Sequence, residues 1–275
     1  FPSRRYCSLV VSRRVPLGRS PCQAVTIVTL ARVGLSGHFR AMKENNQLKD
    51  KRMLDPDHIE TWIFDLDNTL YPAGSNIFAR VSTRITEYVQ TRFSLEHEPA
   101  RALQKDMFRR YGTTLNGLMV EHGIDGEEYL HFVHDIDVAD IAPDHALEAA
   151  ISRLPGRKII YTNGSVPHAQ RIMGRIGVDH HFEDVFDIVA AGYVPKPNPD
   201  PYNTLVSRYG LNPARCVMVE DMARNLEPAA ALGMATVWLS GTLDWAKEGA
   251  EEPYVHHVAE DLTAWLNGLS VPQSA

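Results

Sequence analysis

The sequence predicts an α/β protein whose core is a doubly wound parallel sheet, and three observations support this class. Short apolar runs typical of buried strands alternate with stretches of helical periodicity along most of the chain. Polar residues directly follow several of these runs, as they do at the carboxyl edge of open α/β sheets. A long region with helical spacing and no strand pattern separates the first two strands, which predicts an inserted small helical domain. The expected core is Rossmann-like, with right-handed crossovers.

Composition places broad limits on the protein. The chain has 275 residues, of which 44% are hydrophobic and 23% are charged, as is ordinary for a globular protein. A net charge of −6 does not suggest binding to a nucleic-acid polymer. No run of 18 apolar residues is present, so no membrane-spanning helix is expected. The three cysteines form no disulfide framework, which favours a reducing compartment and hence a cytoplasmic location.

Residues 1–55 are interpreted as a disordered basic leader. The first 43 residues carry eight basic side chains and no acidic one. Residues 1–41 fit a transit peptide, a secretory signal or an unstructured extension translated from upstream of the true start. A basic residue interrupts the apolar stretch that a secretory signal requires. The extension is favoured because Met42 and Met53 lie just before the first strand, so a chain that starts at either methionine is expected to keep its fold and activity.

The first predicted strand, Thr61–Phe64, leads directly into Asp65 and Asp67. The run is short, apolar and uncharged, as in a buried strand of a parallel sheet. Because burying an unpaired carboxylate costs on the order of several kcal/mol, both side chains should lie just beyond the strand, where α/β sheets bind ligands. Residues two apart in extended backbone point the same way, so both carboxylates can face one site. A divalent cation would relieve their repulsion.

The insert is predicted to contain four helices within residues 76–139. Apolar residues recur at helical spacing in four stretches, which run from Ile77 to Val89, from Ala102 to Tyr111, from Thr113 to His122 and from Glu127 to Val133. Most polar side chains here are expected to be ordinary solvated or capping groups. The best candidates for substrate binding are Thr113, Thr114 and Asn116.

Three further segments carry residues suited to phosphate chemistry. Thr162-Asn163-Gly164 follows the predicted strand Arg157–Tyr161 and precedes a helix, so its hydroxyl and backbone N–H groups could form an anion cradle. Lys196 stands between prolines, which hold a positive charge on a stiff frame. Glu220–Asp221 ends an apolar strand and again needs a cation or a lysine nearby. A capping turn and a proline-rich linker are the simpler alternatives for the first two segments.

The remaining elements complete the predicted core. Strands are expected over Phe186–Ala190 and Ala235–Leu239, and a short helix containing Trp265 is expected to dock the tail on the core. The α/β domain would comprise residues 56–75 and 140–275.

These motifs, in this order, resemble those of the haloacid dehalogenase-like (HAD) phosphohydrolases over about residues 58–240. The run from Asp65 to Tyr71 resembles the first motif of that family. The later motifs are matched by Thr162, by Lys196 and by Glu220–Asp221.

The resemblance implies a role for each matching residue. Asp65 would be the nucleophile, Asp67 the general acid and base, and Lys196 a third catalytic residue. Phosphate would be bound by Thr162, Asn163, Gly164 and Lys196. Mg²⁺ would be held by Asp65, the Asp67 backbone carbonyl and Asp221, with Glu220 as an auxiliary ligand and Asn225 in support. The helical insert, residues 76–139, would form a cap over the substrate.

The stretch from Tyr111 to Leu118, together with the first motif, resembles the pyrimidine 5′-nucleotidase branch of the superfamily. The resemblance implies a Mg²⁺-dependent phosphomonoesterase that forms an aspartyl phosphate and acts on UMP or CMP. The second aspartate favours a phosphatase, because true haloacid dehalogenases lack it. A phosphatase or phosphomutase for a small sugar or acid phosphate, and a HAD-fold binding protein, remain as alternatives. The expected partner is a small phosphorylated metabolite; the sequence does not indicate an oligomeric state.

Overall fold

The computed structural model describes residues 54–241 and 243–270. The predictions for the leader and its two methionines therefore lie outside the described residues. None of the described helices combines the length and the apolar character that a membrane span requires.

Six parallel strands in the described part of the chain form one sheet, in the order β3-β2-β1-β4-β5-β6. Their bounds are β1 Thr61–Phe64, β2 Arg157–Tyr161, β3 Asp184–Phe186, β4 Cys216–Glu220, β5 Ala235–Leu239 and β6 His257–Ala259. Strand β1 is central, and Phe64 aligns with Ile160 of β2 and Val219 of β4. The carboxyl ends of these three strands therefore meet at one edge, which confirms the predicted parallel α/β class and brings their following loops together.

Helices flank the sheet, and four consecutive helices between β1 and β2 pack together. The α-helices of the described residues are α1 Ile77–Phe93, α2 His97–Tyr111, α3 Thr114–His122, α4 Gly126–Val133, α5 His145–Ser152, α6 Val166–Ile176, α7 Pro199–Tyr209, α8 Glu227–Ala231 and α9 Leu262–Asn267. Helices α1–α4, which we call the helical bundle, share a hydrophobic cluster that includes Tyr88, Met107, Leu118 and Tyr129. The helical spacing of the insert thus gave the correct elements.

The sheet is buried on both faces. Alternate side chains of β1 point to opposite sides, so Trp62 and Phe64 join one apolar cluster while Ile63 joins the other. All three are fully buried. This two-sided burial explains why β1 is an unbroken apolar run, and it holds the following aspartates in place.

Two elements differ from the sequence-based prediction. The strand expected over Phe186–Ala190 is wrong, because β3 already ends at Phe186 and a turn follows. The Asp187 carboxylate accepts the backbone N–H of Ala190 at 2.8 Å and that of Val166 at 3.1 Å, and these bonds hold the chain in a turn. Strand β6 was not predicted, since its three residues show no apolar run or alternation.

Candidate active site

The loops at the carboxyl edge of β1, β2 and β4 meet at a cavity of about 480 Å³ that the helical bundle also lines. All the predicted core residues of the site line this cavity, namely Asp65, Asp67, Thr162, Asn163, Gly164, Lys196, Glu220 and Asp221. Asp65 comes directly after β1, and its N–H donates to the carbonyl of Val219 at 2.9 Å. The structure therefore brings together residues that are up to 156 positions apart, from Asp65 to Asp221.

The buried ammonium group of Lys196 links the carboxylates. Its Nζ donates to Asp65 Oδ1 at 2.6 Å, to Glu220 Oε1 at 2.7 Å and to the Tyr161 carbonyl at 2.9 Å. An ammonium group has three N–H donors, so every one of them is engaged. Burial alone would lower the pKa of Lys196, but the charges of Asp65 and Glu220 outweigh it and raise that pKa. Lys196 is thus held protonated and holds Asp65 in a single orientation.

The carboxylates around Lys196 are crowded and desolvated. Burial raises the pKa of Asp65 to about 7; the Lys196 charge opposes this shift, and the charges of Glu220 and Asp67 add to it. Burial, followed by the charges of Glu220 and Asp65, also raises the pKa of Asp221 well above its usual range. One ammonium group is therefore insufficient to neutralise the cluster, and a further cation would favour the ionised forms.

The donor atoms of the site fit a hard divalent cation. Carboxylate oxygens of Asp65, Glu220 and Asp221 lie within 4.8 Å of one another, and Mg²⁺ prefers oxygen ligands of this kind. Asn225 Oδ1 is buried beside them and meets no donor in the described chain. Glu220 is the least available ligand, because Oε1 also accepts from Asn225 Nδ2 at 2.6 Å and Oε2 accepts from the Met222 N–H at 2.8 Å.

Metal and pH are expected to affect stability together. The unfolded chain loses the Asp65 proton near pH 3.8, whereas the folded protein keeps it up to about pH 7. The folded state therefore binds more protons in this window, and the free energy of unfolding in EDTA should fall between pH 5 and pH 8. Mg²⁺ at this site would require the ionised carboxylates, so its stabilising effect should grow over the same range. At a Mg²⁺ concentration ten times its Kd, the free energy of unfolding at pH 8 should rise by about 1.4 kcal/mol.

Chemical denaturation with and without Mg²⁺ at the two pH values measures this coupling. Asp221→Asn should lose most of the Mg²⁺ effect, whereas Asp200→Asn, an exposed control outside the cavity, should keep it. A Mg²⁺ effect of equal size at pH 5 and pH 8 would contradict the coupling.

Asp67 has surroundings unlike those of Asp65. Its Oδ1 lies 3.1 Å from His168 Nε2 and accepts a short hydrogen bond from the Tyr71 hydroxyl. The buried His168 ring stacks on His134, with centroids 4.3 Å apart and planes at 14°. Burial alone would raise the pKa of Asp67, but the charge and hydrogen bond of His168, aided by Tyr71, lower it. Tyr71 and His168 therefore orient this carboxylate. Sequence pattern alone did not predict this role of His168, whose only signal is its position as the third residue of α6, after the Thr162 loop.

Removing the His168 donor tests its effect on Asp67. If Asp67 is the general acid, His168→Phe keeps an aromatic ring against His134 but removes the hydrogen bond, so kcat should fall by about tenfold or more. The pKa of Asp67 should rise, which moves the alkaline limb of the kcat/KM profile to higher pH. His181→Phe is the matched control, because His181 pairs with Glu148 outside the cavity. An unchanged rate and an unchanged limb in His168→Phe would show that His168 is only a packing residue.

The Thr162 loop is held by an internal hydrogen bond and lies beside Asp67. Thr162 Oγ1 accepts the Gly164 N–H at 2.9 Å. A Cβ at Gly164 would lie 3.2 Å from that hydroxyl and 3.7 Å from Asp67 Oδ2, so the loop and Asp67 are close neighbours. The Asn163 side chain instead accepts the Lys196 N–H at 3.0 Å, and thereby fixes the loop that carries the lysine.

The three candidate residues of the helical bundle fall in different places. Thr113 and Thr114 line the cavity, whereas Asn116 does not. Thr113 caps α3 by accepting the Asn116 N–H at 3.1 Å, and the Thr114 hydroxyl donates to the Gln104 carbonyl at 3.2 Å. Asn116 donates its side-chain N–H to the Tyr111 carbonyl at 2.9 Å. Asn116 thus joins α2 to α3 without reaching the cavity.

Comparison with known proteins assigns the family. The family model described as haloacid dehalogenase-like hydrolase matches residues 59–233, which is more than half of the chain. The chain belongs to this family. The match runs from just before β1 to just before β5, and it contains every cavity residue named so far. Membership of the wider HAD-like superfamily is therefore confirmed, whereas the match does not distinguish its nucleotidase branch.

Two curated relatives of this HAD-like hydrolase share parts of its sequence. Phosphate metabolism protein 8 of Saccharomyces cerevisiae is 23% identical over 210 residues, which cover 70% of this chain and 65% of the yeast protein. Fructose-1-phosphate phosphatase YqaB of Escherichia coli is 35% identical over 71 residues, which cover 25% of this chain and 36% of YqaB. The chain thus spans less than two thirds of the length of each.

Solved structures share the fold of this HAD-like hydrolase at low sequence identity. A predicted phosphoglycolate phosphatase of Haemophilus somnus is 17% identical and has a TM-score of 0.51. The match covers 76% of this chain and 97% of the Haemophilus chain. YfnB of Bacillus subtilis, described as a HAD-hydrolase and solved with magnesium bound, is 16% identical and has a TM-score of 0.50. The match covers 78% of this chain and 99% of the YfnB chain. At these identities the likeness shows the fold alone.

Proposed function

We propose that this HAD-like hydrolase is a Mg²⁺-dependent phosphomonoesterase that acts through an aspartyl phosphate on Asp65. The observation that carries the proposal is the pair Asp65 and Asp67, which line one cavity and are held by different partners. Lys196 Nζ donates to Asp65, whereas the Tyr71 hydroxyl and His168 contact Asp67. Two carboxylates held separately beside one cavity can serve as the nucleophile and as the general acid and base of one reaction.

The proposed reaction has two steps. A carboxylate oxygen of Asp65 attacks phosphorus, and the bond from phosphorus to the ester oxygen breaks while Asp67 gives that oxygen a proton. Asp67 then removes a proton from water, which attacks phosphorus, releases inorganic phosphate and restores Asp65. The Thr162 hydroxyl and loop N–H groups would hold the phosphoryl oxygens. Bound Mg²⁺ would neutralise phosphoryl charge, and Asp65 and Asp221 would hold it, with Glu220 in support.

We also propose that the helical bundle is the cap of this enzyme. Helices α1, α2 and α4 each place side chains on the cavity wall, among them Phe78, Val81, Phe108, Tyr129 and Leu130. A water-poor wall of this kind strengthens electrostatic interactions at the phosphoryl group and keeps solvent from the aspartyl phosphate. The bundle also adds the surface that contacts whatever the phosphate is attached to.

For the substrate we propose pyrimidine nucleoside 5′-monophosphates such as UMP and CMP. The apolar wall, together with the edge-to-face pair of Phe108 and Trp245 at 5.9 Å, provides aromatic surface for a base. Thr113 and Thr114 add polar groups at the same wall. A small sugar phosphate is the second candidate, because the segment shared with YqaB belongs to a fructose-1-phosphate phosphatase.

Phosphate release from a panel of monophosphates, with Mg²⁺ and with EDTA, tests both parts. Metal-dependent release that is fastest with UMP or CMP is the expected result. Release that favours fructose 1-phosphate or another sugar phosphate would keep the chemistry and replace the substrate. No release from any ester would overturn the phosphomonoesterase, and the HAD-fold binding protein would then be the better description.

A further inference from the structure

Three basic side chains form a row on the cavity wall. Arg101, Lys105 and Arg109 lie on α2 at intervals of four residues, and all three line the cavity. Side chains spaced by four lie on the same face of a helix, one above the other. We call these three residues the basic row. All three residues are exposed, and none of their side chains has an ion pair or a hydrogen bond to a described residue.

Helix stability does not account for the row. Like charges spaced by four residues destabilise a helix. Within the row, the helix macrodipole favours only Arg109, which lies in the last turn. The neighbouring Arg110 shows the ordinary arrangement, since it pairs with Asp106 at 2.7 Å and with Glu121. Within α2, only the cations that line the cavity lack a carboxylate, so their partner is expected to be something that enters the cavity.

The row leads away from the catalytic lysine. Helix α2 ends at Gly112, where an added Cβ would lie 3.6 Å from the Lys196 carbonyl oxygen. A rise of about 1.5 Å per residue places Arg109, Lys105 and Arg101 roughly 4, 10 and 16 Å along the helix axis from that end. The row therefore extends along α2 away from the helix end that lies beside the Lys196 loop.

Charge separates the two regions of the cavity. The reaction centre has four carboxylates, Asp65, Asp67, Glu220 and Asp221, against the single ammonium group of Lys196. The basic row has three positive charges and no carboxylate partner. An anionic group on the substrate body would be repelled by the first region and attracted by the second, so the row can recognise such a group and set its direction.

We propose that the basic row binds a second anionic group, a phosphate or a carboxylate, on the body of the phosphomonoester substrate. The inference rests on the proposed phosphomonoesterase function and narrows its substrate class. The preferred substrate carries the transferred phosphoryl group at one end and this second anion roughly 4–16 Å away, the range over which the row extends along α2 from the helix end beside Lys196. A mononucleotide qualifies when its base bears a carboxylate or its ribose bears another phosphate.

Matched substrates measure the contribution of the row. UMP has no second anion, orotidine 5′-monophosphate adds a ring carboxylate, and uridine 3′,5′-bisphosphate adds a second phosphate. The wild-type protein is expected to show at least about tenfold higher kcat/KM for one of the two anionic compounds than for UMP. Arg101→Gln/Lys105→Gln/Arg109→Gln should lose that preference, with less than about threefold change for UMP. The compound that the wild type prefers identifies the anion.

Arg92→Gln is the matched control. Arg92 is an exposed arginine of α1 outside the cavity, so its loss changes the net charge without changing the wall. It should leave the preference intact. An equal loss for all three substrates in the triple variant would show that the row only attracts phosphate from a distance, and this result would overturn the proposal. The three single variants, each followed by thermal unfolding, replace the triple variant if it does not fold.

A binding measurement separates this inference from the proposed reaction. Calorimetry with Asp65→Asn measures the affinity for UMP and for each anionic compound without turnover. Tighter binding of an anionic compound that disappears with the triple substitution supports the row, even if the wild type releases no phosphate from any ester. Phosphate release from UMP, combined with equal affinity for all three compounds, would reject the row and leave the phosphomonoesterase in place.

Discussion

Asp65→Asn is expected to lower kcat by at least about 10⁴-fold while the protein stays folded. Removal of a catalytic nucleophile costs rates of this order in other hydrolases, and an amide oxygen is too weak a nucleophile to form the acyl phosphate. The fold should survive, because the amide oxygen can still accept from Lys196 Nζ, which lies 2.6 Å from Asp65 Oδ1 in the wild-type protein. The substitution also removes one charge from a crowded cluster. Phosphate release in the presence of Mg²⁺, together with circular dichroism and thermal unfolding, measures both effects.

The control for Asp65→Asn is Asp200→Asn. It makes the same chemical change at an exposed position outside the cavity, so kcat should stay within about twofold of the wild type, as is usual for surface substitutions. Trapping of labelled phosphate on the wild-type chain, and its absence in Asp65→Asn, would identify the modified residue. Near-normal turnover in Asp65→Asn would rule out Asp65 as the nucleophile.

Lys196→Met is expected to reduce both activity and stability. Its ammonium is the only cation within hydrogen-bonding distance of Asp65 and Glu220 in the described chain. Removing one partner of a buried ion pair leaves an uncompensated charge and costs about 3–5 kcal/mol. The rate should fall by at least about 10²-fold, because an electrostatic group at the reaction centre is lost. Urea unfolding in EDTA and phosphate release in Mg²⁺ measure the two effects separately.

Lys158→Met provides a matched comparison for Lys196→Met. Lys158 is also buried, but its Nζ donates to the carbonyls of Leu154 and Gly156 at 2.8 and 3.2 Å and meets no carboxylate. The free energy of unfolding of this variant should fall by about 1–3 kcal/mol, the cost of leaving buried acceptors unpaired. Its activity per folded molecule should be unchanged. If Lys158→Met and Lys196→Met lost stability and activity to the same extent, Lys196 would have no special role at the site.

Much of the fold could be predicted from local pattern. Apolar runs gave β1, β2, β4 and β5, and helical spacing gave the bundle, because burial on one or both faces imposes these periodicities on the sequence. Short elements were less predictable. Strand β6 has three residues at an edge, and the end of β3 depends on the hydrogen bonds of Asp187 with a segment 21 residues earlier in the chain.

The site shows the same division. Asp65, Asp67, Thr162, Lys196 and Asp221 could be picked out because each directly follows a strand or stands in a stiff loop. The metal role predicted for Glu220 did not anticipate that its oxygens already accept from Lys196, Asn225 and a backbone N–H. His168 was missed because nothing local relates a histidine inside a helix to an aspartate 101 residues earlier.

The sequence by itself determined the parallel α/β class, the helical insert and the candidate nucleophile, acid and lysine, since each depends on residues close together in the chain. Only the tertiary structure decided which partner each polar group has. It placed His168 against Asp67 and gave each of the three donors of Lys196 an acceptor. It also turned one face of α2 toward the cavity, so that Arg101, Lys105 and Arg109 line the cavity without ion-pair partners. The physical reason is that burial and charge depend on distances between elements, which the packing of the bundle against the sheet sets.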